Sequence, residues 1–252
     1  MNIITYNVNG IRAALRKGFL DWVTSARPDV LALQEVKALT GDWDRGPLEK
    51  MGYHIHQNPA EKKGYSGVAL ISRSPMNAVM TETGIDWIDA EGRVISAVSK
   101  GIRFTSLYFP SGTNPERQVR KLEFLSSLPE ILKKINPEGL PLVLSGDFNI
   151  CHTEKDIHDP IRLAGVPGFT MEEREWMDAL LASGFVDAFR QFNPGSDQYS
   201  WWSYMARARE RNKGWRIDYH MVDRSLAPRL SRSVHLISAK HSDHCPVLVS
   251  LD

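Results

Sequence analysis

Leu142-Val143-Leu144-Ser145-Gly146-Asp147-Phe148-Asn149 sets the pattern on which the fold is built. Three apolar residues lead into a small pair and then into Asp-x-Asn, the pattern of a buried strand running out into a polar turn. The same pattern recurs along the chain. Ile3–Tyr6 runs into Asn7-Val8-Asn9-Gly10, Val30–Leu33 runs into Gln34-Glu35, and Val247–Leu251 follows Ser242-Asp243-His244. Val68–Ile71, Val94–Val98, Phe104–Tyr108 and Ile217–Val222 are further short runs rich in β-branched or aromatic residues, which favours strands. Between them the spacing predicts helices over Gly18–Ala26, Pro115–Lys134 and Met171–Ser183. Pro129 is expected to break or kink the second, because proline removes a helix hydrogen bond. Thr170 and Glu173 form a capping box at the start of the third, Trp176 and Leu180 share a face, and Gly184 stops it. Many strands, few helices and several turn-only connections predict two packed sheets with helices outside, α+β in character, as one domain over residues 1–252.

Composition bounds the function. With 252 residues, 42% apolar and 24% charged, the chain can bury a core and is not a disordered protein. Lys and Arg total 31 against 30 Asp and Glu, so the net charge of +1 excludes a polybasic protein. A nucleic-acid partner remains open, because clustering of charge on a face matters more than its sum. Cys151 and Cys245 are too few for a disulfide scaffold or a Cys-based zinc site and are expected as free buried thiols. The chain starts at once as a strand, without the basic segment and apolar core of a signal peptide. No window approaches roughly 18 uninterrupted apolar residues. A soluble protein is expected, cytoplasmic and nucleoid-associated, or nuclear in a eukaryote, with no membrane partner.

The polar residues that end the strands carry the chemistry. Asn7, Asn9, Glu35, Asp147, Asn149, Asp243 and His244 all fall at such ends, where rigid sheets present functional groups on loops. Carboxylate and amide oxygens suit Mg²⁺, which takes one or two protein carboxylates and keeps several waters. Each piece alone also reads as a turn or a solvated strand end, since Asp and Asn favour turns. Their joint occurrence points to a hard-cation and proton-transfer site.

A second feature is Trp201-Trp202-Ser203-Tyr204-Met205, followed by Arg207, Arg209, Arg211, Lys213, Trp215 and Arg216, with Glu210 as the only acid. A charge run is often a solvated face. Interleaved aromatics favour nucleic acid, because rings stack on bases while Arg and Lys take phosphates.

Together these segments resemble the exonuclease III family of abasic-site endonucleases, within the endonuclease/exonuclease/phosphatase superfamily. The resemblance covers nearly the whole chain. It rests on Asn7-Val8-Asn9-Gly10-Ile11-Arg12-Ala13, Leu33-Gln34-Glu35-Val36-Lys37, Gly64-Tyr65-Ser66-Gly67-Val68-Ala69 and Glu91-Gly92-Arg93-Val94. It continues through Leu107-Tyr108-Phe109-Pro110, Gly146-Asp147-Phe148-Asn149, Trp201-Trp202-Ser203-Tyr204, Gly214-Trp215-Arg216-Ile217-Asp218-Tyr219 and Ser242-Asp243-His244-Cys245-Pro246. It implies a DNase I-like four-layer α/β sandwich, two mixed β-sheets flanked by helices. The activity it implies is Mg²⁺-dependent hydrolysis, with Mn²⁺ as a substitute, of the DNA backbone 5′ to an abasic site, leaving a 3′-hydroxyl. A 3′→5′ exonuclease or end-cleaning activity on duplex DNA is expected beside it, in a monomer.

By the same resemblance Glu35 is the principal metal ligand, with Asn7 beside it as a ligand or as the group orienting Asp147. Asn9 and Asp243 support the metal site, and His244 and Asn149 border it. Asp147 activates or positions the attacking water, Asn149 bonds the phosphate or that water, His244 binds the scissile phosphate oriented by Asp218, and Tyr108 contacts phosphate or transfers a proton. The expected DNA contacts are Arg12, Lys17, Lys63, Tyr65, Arg93, Ser111, Arg162, Trp201, Tyr204, Met205, Arg207, Arg209, Lys213 and Trp215. Trp201, Trp215 and Ile217 form an apolar slot for a base-less sugar, and the Tyr204–Arg207 loop, with Met205 at its tip, is a minor-groove wedge.

Two departures bear on specificity. Ser111 stands where many relatives have Asn, and residues 161–167 carry no Asn where relatives commonly have one or more. A mainly exonucleolytic enzyme, another superfamily phosphodiesterase and a silent DNA-binding module are the competing readings. The last requires a broken site, and Glu35, Asp147, Asn149, Asp218, Asp243 and His244 are all present.

Overall fold

The computed structural model describes all residues 1–252. One six-stranded sheet holds β1 (Asn2–Asn7), β2 (Val30–Gln34), β3 (His54–Asn58), β4 (Val68–Ser72), β11 (Leu230–His235) and β12 (Val247–Leu251), ordered β11-β12-β1-β2-β4-β3. The other holds β5 (Asn77–Met80), β6 (Val94–Ser99), β7 (Ile102–Tyr108), β8 (Leu142–Asp147), β9 (Phe185–Asp187) and β10 (Asp218–Asp223), ordered β5-β6-β7-β8-β10-β9. Both are mixed: β1 with β2 and β7 with β8 are parallel, and the remaining pairs antiparallel.

Strand periodicity builds the layers. Successive side chains point to opposite faces, so each central strand feeds two cores. Ile3, Val30, Leu70, Phe104, Val143, Val222 and Val249 fill the space between the sheets. Ile4, Tyr6, Leu31, Leu33 and Ile71 face outward onto α1 (Ile11–Arg16), α2 (Phe19–Ala26) and α3 (Gly46–Lys50). Leu107, Leu142, Leu144 and Met221 face the other way, onto α4 (Asp86–Ala90), α5 (Pro115–Ile135) and α6 (Met171–Ala182). A short α7 (Ala188–Phe192) packs beside β10 and β11. Helix, sheet, sheet and helix make the four expected layers, and each fully buried Val, Leu, Ile or Phe contributes roughly 1.5–3 kcal/mol. No helix is long and apolar enough to cross a membrane.

Pro129 does not break α5, which runs unbroken from Pro115 to Ile135. Proline cannot donate to the carbonyl four residues back, Leu125. That oxygen instead accepts the Trp176 indole N–H at 2.9 Å, from α6. The helix keeps its hydrogen-bond count through a neighbour, and the same contact docks α6. The capping box at Thr170 and Glu173 forms as expected, and both cysteines are free and buried.

The inner face changes character along the strands. From one end to the other, β1 presents Ile3, Thr5 and Asn7; β2 presents Val30, Ala32 and Gln34; and β8 presents Val143, Ser145 and Asp147. Between the apolar end and the terminal polar groups lies a hydrogen-bonded middle layer. The Gln34 amide donates to Ser106 Oγ (2.9 Å), which donates to the Leu33 carbonyl (2.9 Å). His220 Nε2 donates to the Val247 carbonyl across the sheets (2.9 Å), while its Nδ1 meets Ser145 Oγ at 2.8 Å.

Candidate active site

Register brings the polar ends together. Tyr108 lies opposite Asp147 in the β7–β8 pair, and Asp147 opposite Asp218 in the β8–β10 pair. In the facing sheet Asn7 lies opposite Gln34, and Glu35 follows immediately. Glu35, Asn9 and Asn149 adopt left-handed backbone, with φ of 50°, 46° and 53°. Asn tolerates this region, whereas for Glu it costs of order 1 kcal/mol and marks a functional constraint. The Gly10 N–H holds the Glu35 carbonyl at 2.8 Å, and the Gly67 and Ser66 carbonyls take the N–H groups of Val36 and Lys37. The strained turn is thus fixed from both sides.

At the centre, metal-ligating atoms of Glu35, Asp147 and His244 all lie within 4.8 Å of one another. The Asn7 amide bridges the sheets, donating to Glu35 Oε1 (2.8 Å) and Asp147 Oδ2 (2.9 Å). Of the two roles open to Asn7, the geometry favours orienting Asp147. The Asn149 N–H donates to Asp147 Oδ1 (2.9 Å), and the Asn149 side-chain amide donates to the Phe109 carbonyl (3.0 Å). His244 Nδ1 lies 2.9 Å from Asp218 Oδ2, which also accepts the Ser200 hydroxyl (2.6 Å). That leaves His244 Nε2 directed at Asp147 Oδ2, 3.9 Å away.

Burial sets the electrostatics. It raises the Asp147 carboxyl above the usual carboxylate range; His244 and Asn7 oppose the rise, and Asp218 and Glu35 add to it. Burial alone would lower His244, but Asp218, Asp147 and Asp243 outweigh it and push the imidazole to about 10. Burial would raise Glu35, yet Lys37 and the Asn7 amide hold it below its ordinary value. Tyr108 is raised well above the ordinary phenol, first by burial and then by Glu35, so it stays protonated.

The donor set is carboxylate, amide and imidazole without thiolate, which suits a hard divalent ion. A cation already lodges there: Lys37 Nζ lies 2.5 Å from Glu35 Oε2 and 2.7 Å from Asn9 Oδ1. The residues therefore fit a metal ion, with Glu35 as its anchor. Asp243 stands apart from this group. Its Oδ1 accepts from Asn9 Nδ2 (3.0 Å) and Ser242 Oγ (3.1 Å), and its Oδ2 from the Trp201 indole (3.0 Å). Those bonds tie Asn9 and Trp201 together.

The match of residues 4–244 to the Endonuclease/Exonuclease/phosphatase family model decides the assignment. The chain belongs to this family. An exodeoxyribonuclease from Bacillus subtilis is 38% identical over 252 residues, covering 98% of each chain. A DNA-(apurinic or apyrimidinic site) endonuclease from Dictyostelium discoideum is 36% identical, over all of this chain and 71% of its own. Among solved structures, an AP endonuclease from Archaeoglobus fulgidus superposes with a TM-score of 0.91 at 30% identity, covering 100% of this chain and 99% of its own. A 3′-5′ exonuclease from Neisseria meningitidis gives 0.92 at 30% identity, with 100% of both chains covered. The likeness spans the whole four-layer sandwich and makes this an exonuclease III-type member of the family.

Around the centre, Trp201 and Trp215 stand edge to face with centroids 6.0 Å apart, and Trp201 lies 6.4 Å from the His244 ring. With Ile217 they form an apolar cluster beside His244, and Leu163 and Val166 pack into it. Tyr204, Met205, Arg207 and Lys213 are exposed on the neighbouring loop, Met205 at 78%. Arg12, Lys17, Lys63 and Arg162 are exposed too, Lys17 bonded to the His241 carbonyl and Arg162 paired with Asp159. Ser111 is half-buried.

Two of the expected DNA contacts, Arg93 and Arg209, brace the fold through several bonds. Arg93 is 3% exposed. It bonds Glu91, the Tyr108 carbonyl and the Tyr65 hydroxyl, and lies over the Tyr108 ring at 4.8 Å. Tyr65 is thereby held in the same network. Arg209 donates to the carbonyls of Ser242, Ile237 and Ala239 and stacks on Trp202. Each of these guanidinium groups spends three of its five N–H donors on the protein. Lys37 and Ser200 also belong to the site, through Glu35 and Asn9 and through Asp218. Lys37 sits two residues after Glu35, within the quoted motif; Ser200 carries no sequence signal.

Proposed function

We propose that this exonuclease III-type hydrolase is a Mg²⁺-dependent DNA-repair phosphodiesterase, working as a single catalytic unit and a monomer in the cytoplasm. It cuts duplex DNA 5′ to an abasic site to leave a 3′-hydroxyl, and also processes 3′ ends. The observation that carries this reading is the Glu35, Asp147 and His244 group, closed to within 4.8 Å, beside the Trp201–Trp215 pair.

A divalent ion held by Glu35, with Asp147 and His244 beside it, would supply charge neutralisation at the phosphate and a stabilised leaving alkoxide. The chain's own groups do the rest. Asp147 has Oδ1 fixed by Asn149 N–H and Oδ2 by Asn7, which holds it for accepting a proton from an in-line water. His244 keeps a proton at Nε2, because Asp218 holds Nδ1, and donates it toward a non-bridging oxygen. Tyr108, kept neutral, is a hydroxyl donor to the same phosphate. Trp201 and Trp215 leave an apolar slot that admits a sugar without its base.

A second reading makes 3′→5′ exonuclease the main activity. Leu163 and Val166 favour it, because they give the slot apolar packing where an amide would bond the target phosphate. One experiment separates the two: a duplex with a single abasic-site analogue against an undamaged recessed duplex, at equal concentrations. Dominant incision at the analogue supports the first reading, dominant shortening of the recessed end the second, and no cutting of either rejects both.

A further inference from the structure

Lys121, on α5, and Glu173, on α6, form an ion pair whose side chains are both 0% exposed, with Nζ 2.5 Å from Oε1. A buried pair is weak evidence for stability, because desolvation offsets its attraction. Its other bonds lead toward the reaction centre. Lys121 Nζ donates to the backbone carbonyl of Asn149 at 2.7 Å. Asn149 is the left-handed residue whose N–H fixes Asp147 Oδ1. On the other side, Glu173 Oε2 accepts the N–H groups of Gly168 (2.8 Å) and Thr170 (3.0 Å).

Gly168 closes the circuit. Its φ is +92°, and a Cβ there would lie 2.8 Å from the Trp215 ring and 3.0 Å from the same Asn149 carbonyl. The Gly168 carbonyl in turn accepts the Cys151 N–H at 2.7 Å. A continuous chain of contacts therefore runs from Trp215, in the apolar cluster beside His244, through Gly168, Glu173 and Lys121, to Asn149 and Asp147.

We propose that Lys121 and Glu173 are positioning residues, which lock the damage slot and the water-activating carboxylate into one rigid unit. The proposal rests on the reading of Asp147 given above. The pair acts on the rate of the chemical step and not on DNA affinity, since neither side chain is exposed to substrate. A misplacement of about 1 Å at Asp147 is enough to slow an in-line attack.

The test uses the full chain and the abasic-analogue duplex. Lys121→Met alone leaves a buried, uncompensated carboxylate and is expected to destabilise the protein. The double variant Lys121→Met/Glu173→Gln removes both charges and is expected to unfold cooperatively at close to the wild-type temperature. In that double variant kcat falls at least about tenfold while KM stays within about twofold. Amide hydrogen exchange at Asn149 and Gly168, measured without metal or DNA, speeds up at least about tenfold while β-core amides are unchanged. A double variant with wild-type kcat and wild-type exchange at both amides overturns the proposal and leaves the pair a packing feature. Asp147→Asn, assayed alongside, separates the two claims: if it cuts at the wild-type rate, the reading of Asp147 fails, whatever the pair does.

Discussion

His244 and Asp218 meet at 2.9 Å, Nδ1 to Oδ2, with side chains 5% and 0% exposed. That single contact decides which imidazole nitrogen faces the carboxylates. It also keeps the ring charged far above its ordinary range. Asp218→Asn removes the nearest compensating charge and is expected to lower activity at least about tenfold. The loss grows from pH 6 to pH 9, because the uncompensated ring gives up its proton earlier. The folded value, about 10, lies above the unfolded 6.5, so His244 contributes stability that is complete below pH 6.5 and fades as pH rises toward 10. A pH–rate profile of the variant parallel to wild type would show that Asp218 does not set the proton.

Asp147→Asn keeps the shape of the site and removes its proton acceptor. Incision under single-turnover conditions is expected to drop by about 10²–10⁴-fold. Near-native unfolding by circular dichroism confirms that the loss is chemical.

Lys37 occupies Glu35 Oε2 and Asn9 Oδ1 with a positive charge. Lys37→Met is therefore expected to bind a divalent ion more tightly, seen as a larger rise in melting temperature on adding MgCl₂ than in wild type. Calorimetric titration gives the same comparison as a dissociation constant. An equal or smaller shift would mean that Lys37 assists the cation and does not compete with it.

Arg207 and Arg209 are two residues apart and should behave differently. Arg207→Ala, at an exposed position, is expected to lower the slope of log Kd against log salt by about one, the signature of one lost phosphate contact. Arg209→Ala should leave that slope unchanged and cost about 1–3 kcal/mol of stability, since three carbonyls lose their donor. Fluorescence anisotropy across a salt series reads the first, and urea denaturation the second.

His220 predicts acid sensitivity from within the fold. Burial lowers it from 6.5 to about 4, while its two nitrogens bond Ser145 and Val247 between the sheets. The unfolded chain takes up a proton that the folded chain refuses. This group therefore removes about 3 kcal/mol as pH falls from 6.5 toward 4. Urea denaturation over that range reads it, and His220→Gln should flatten the slope by about one proton.

The central strands were readable because their apolar runs are buried on both faces. The four that escaped, β3, β5, β9 and β11, are the four sheet edges. Their sequences, such as His54-Ile55-His56-Gln57-Asn58 and Leu230-Ser231-Arg232-Ser233-Val234-His235, carry polar residues that suppress any apolar run. The site was legible as identities at strand ends, because each ligand type is chemically restricted. Which arginine stays exposed was not legible. Arg93, Arg207 and Arg209 look alike in the sequence, and only tertiary contacts with Glu91, Tyr108 and the 237–242 carbonyls tell them apart. Pro129 misleads for a similar reason, since the Trp176 indole that repairs its helix lies 47 positions away.

A metal-dependent cut made by the Glu35, Asp147 and His244 centre is the expectation on which the proposed function depends. The most direct measurement is single-turnover cleavage of a duplex holding one abasic-site analogue, with MgCl₂ and with excess EDTA, followed by polymerase extension of the product. The account predicts one incision 5′ to the analogue with MgCl₂, an extendable 3′-hydroxyl, and no product with EDTA. Cleavage that persists in EDTA, or a 3′ end that the polymerase does not extend, would contradict it.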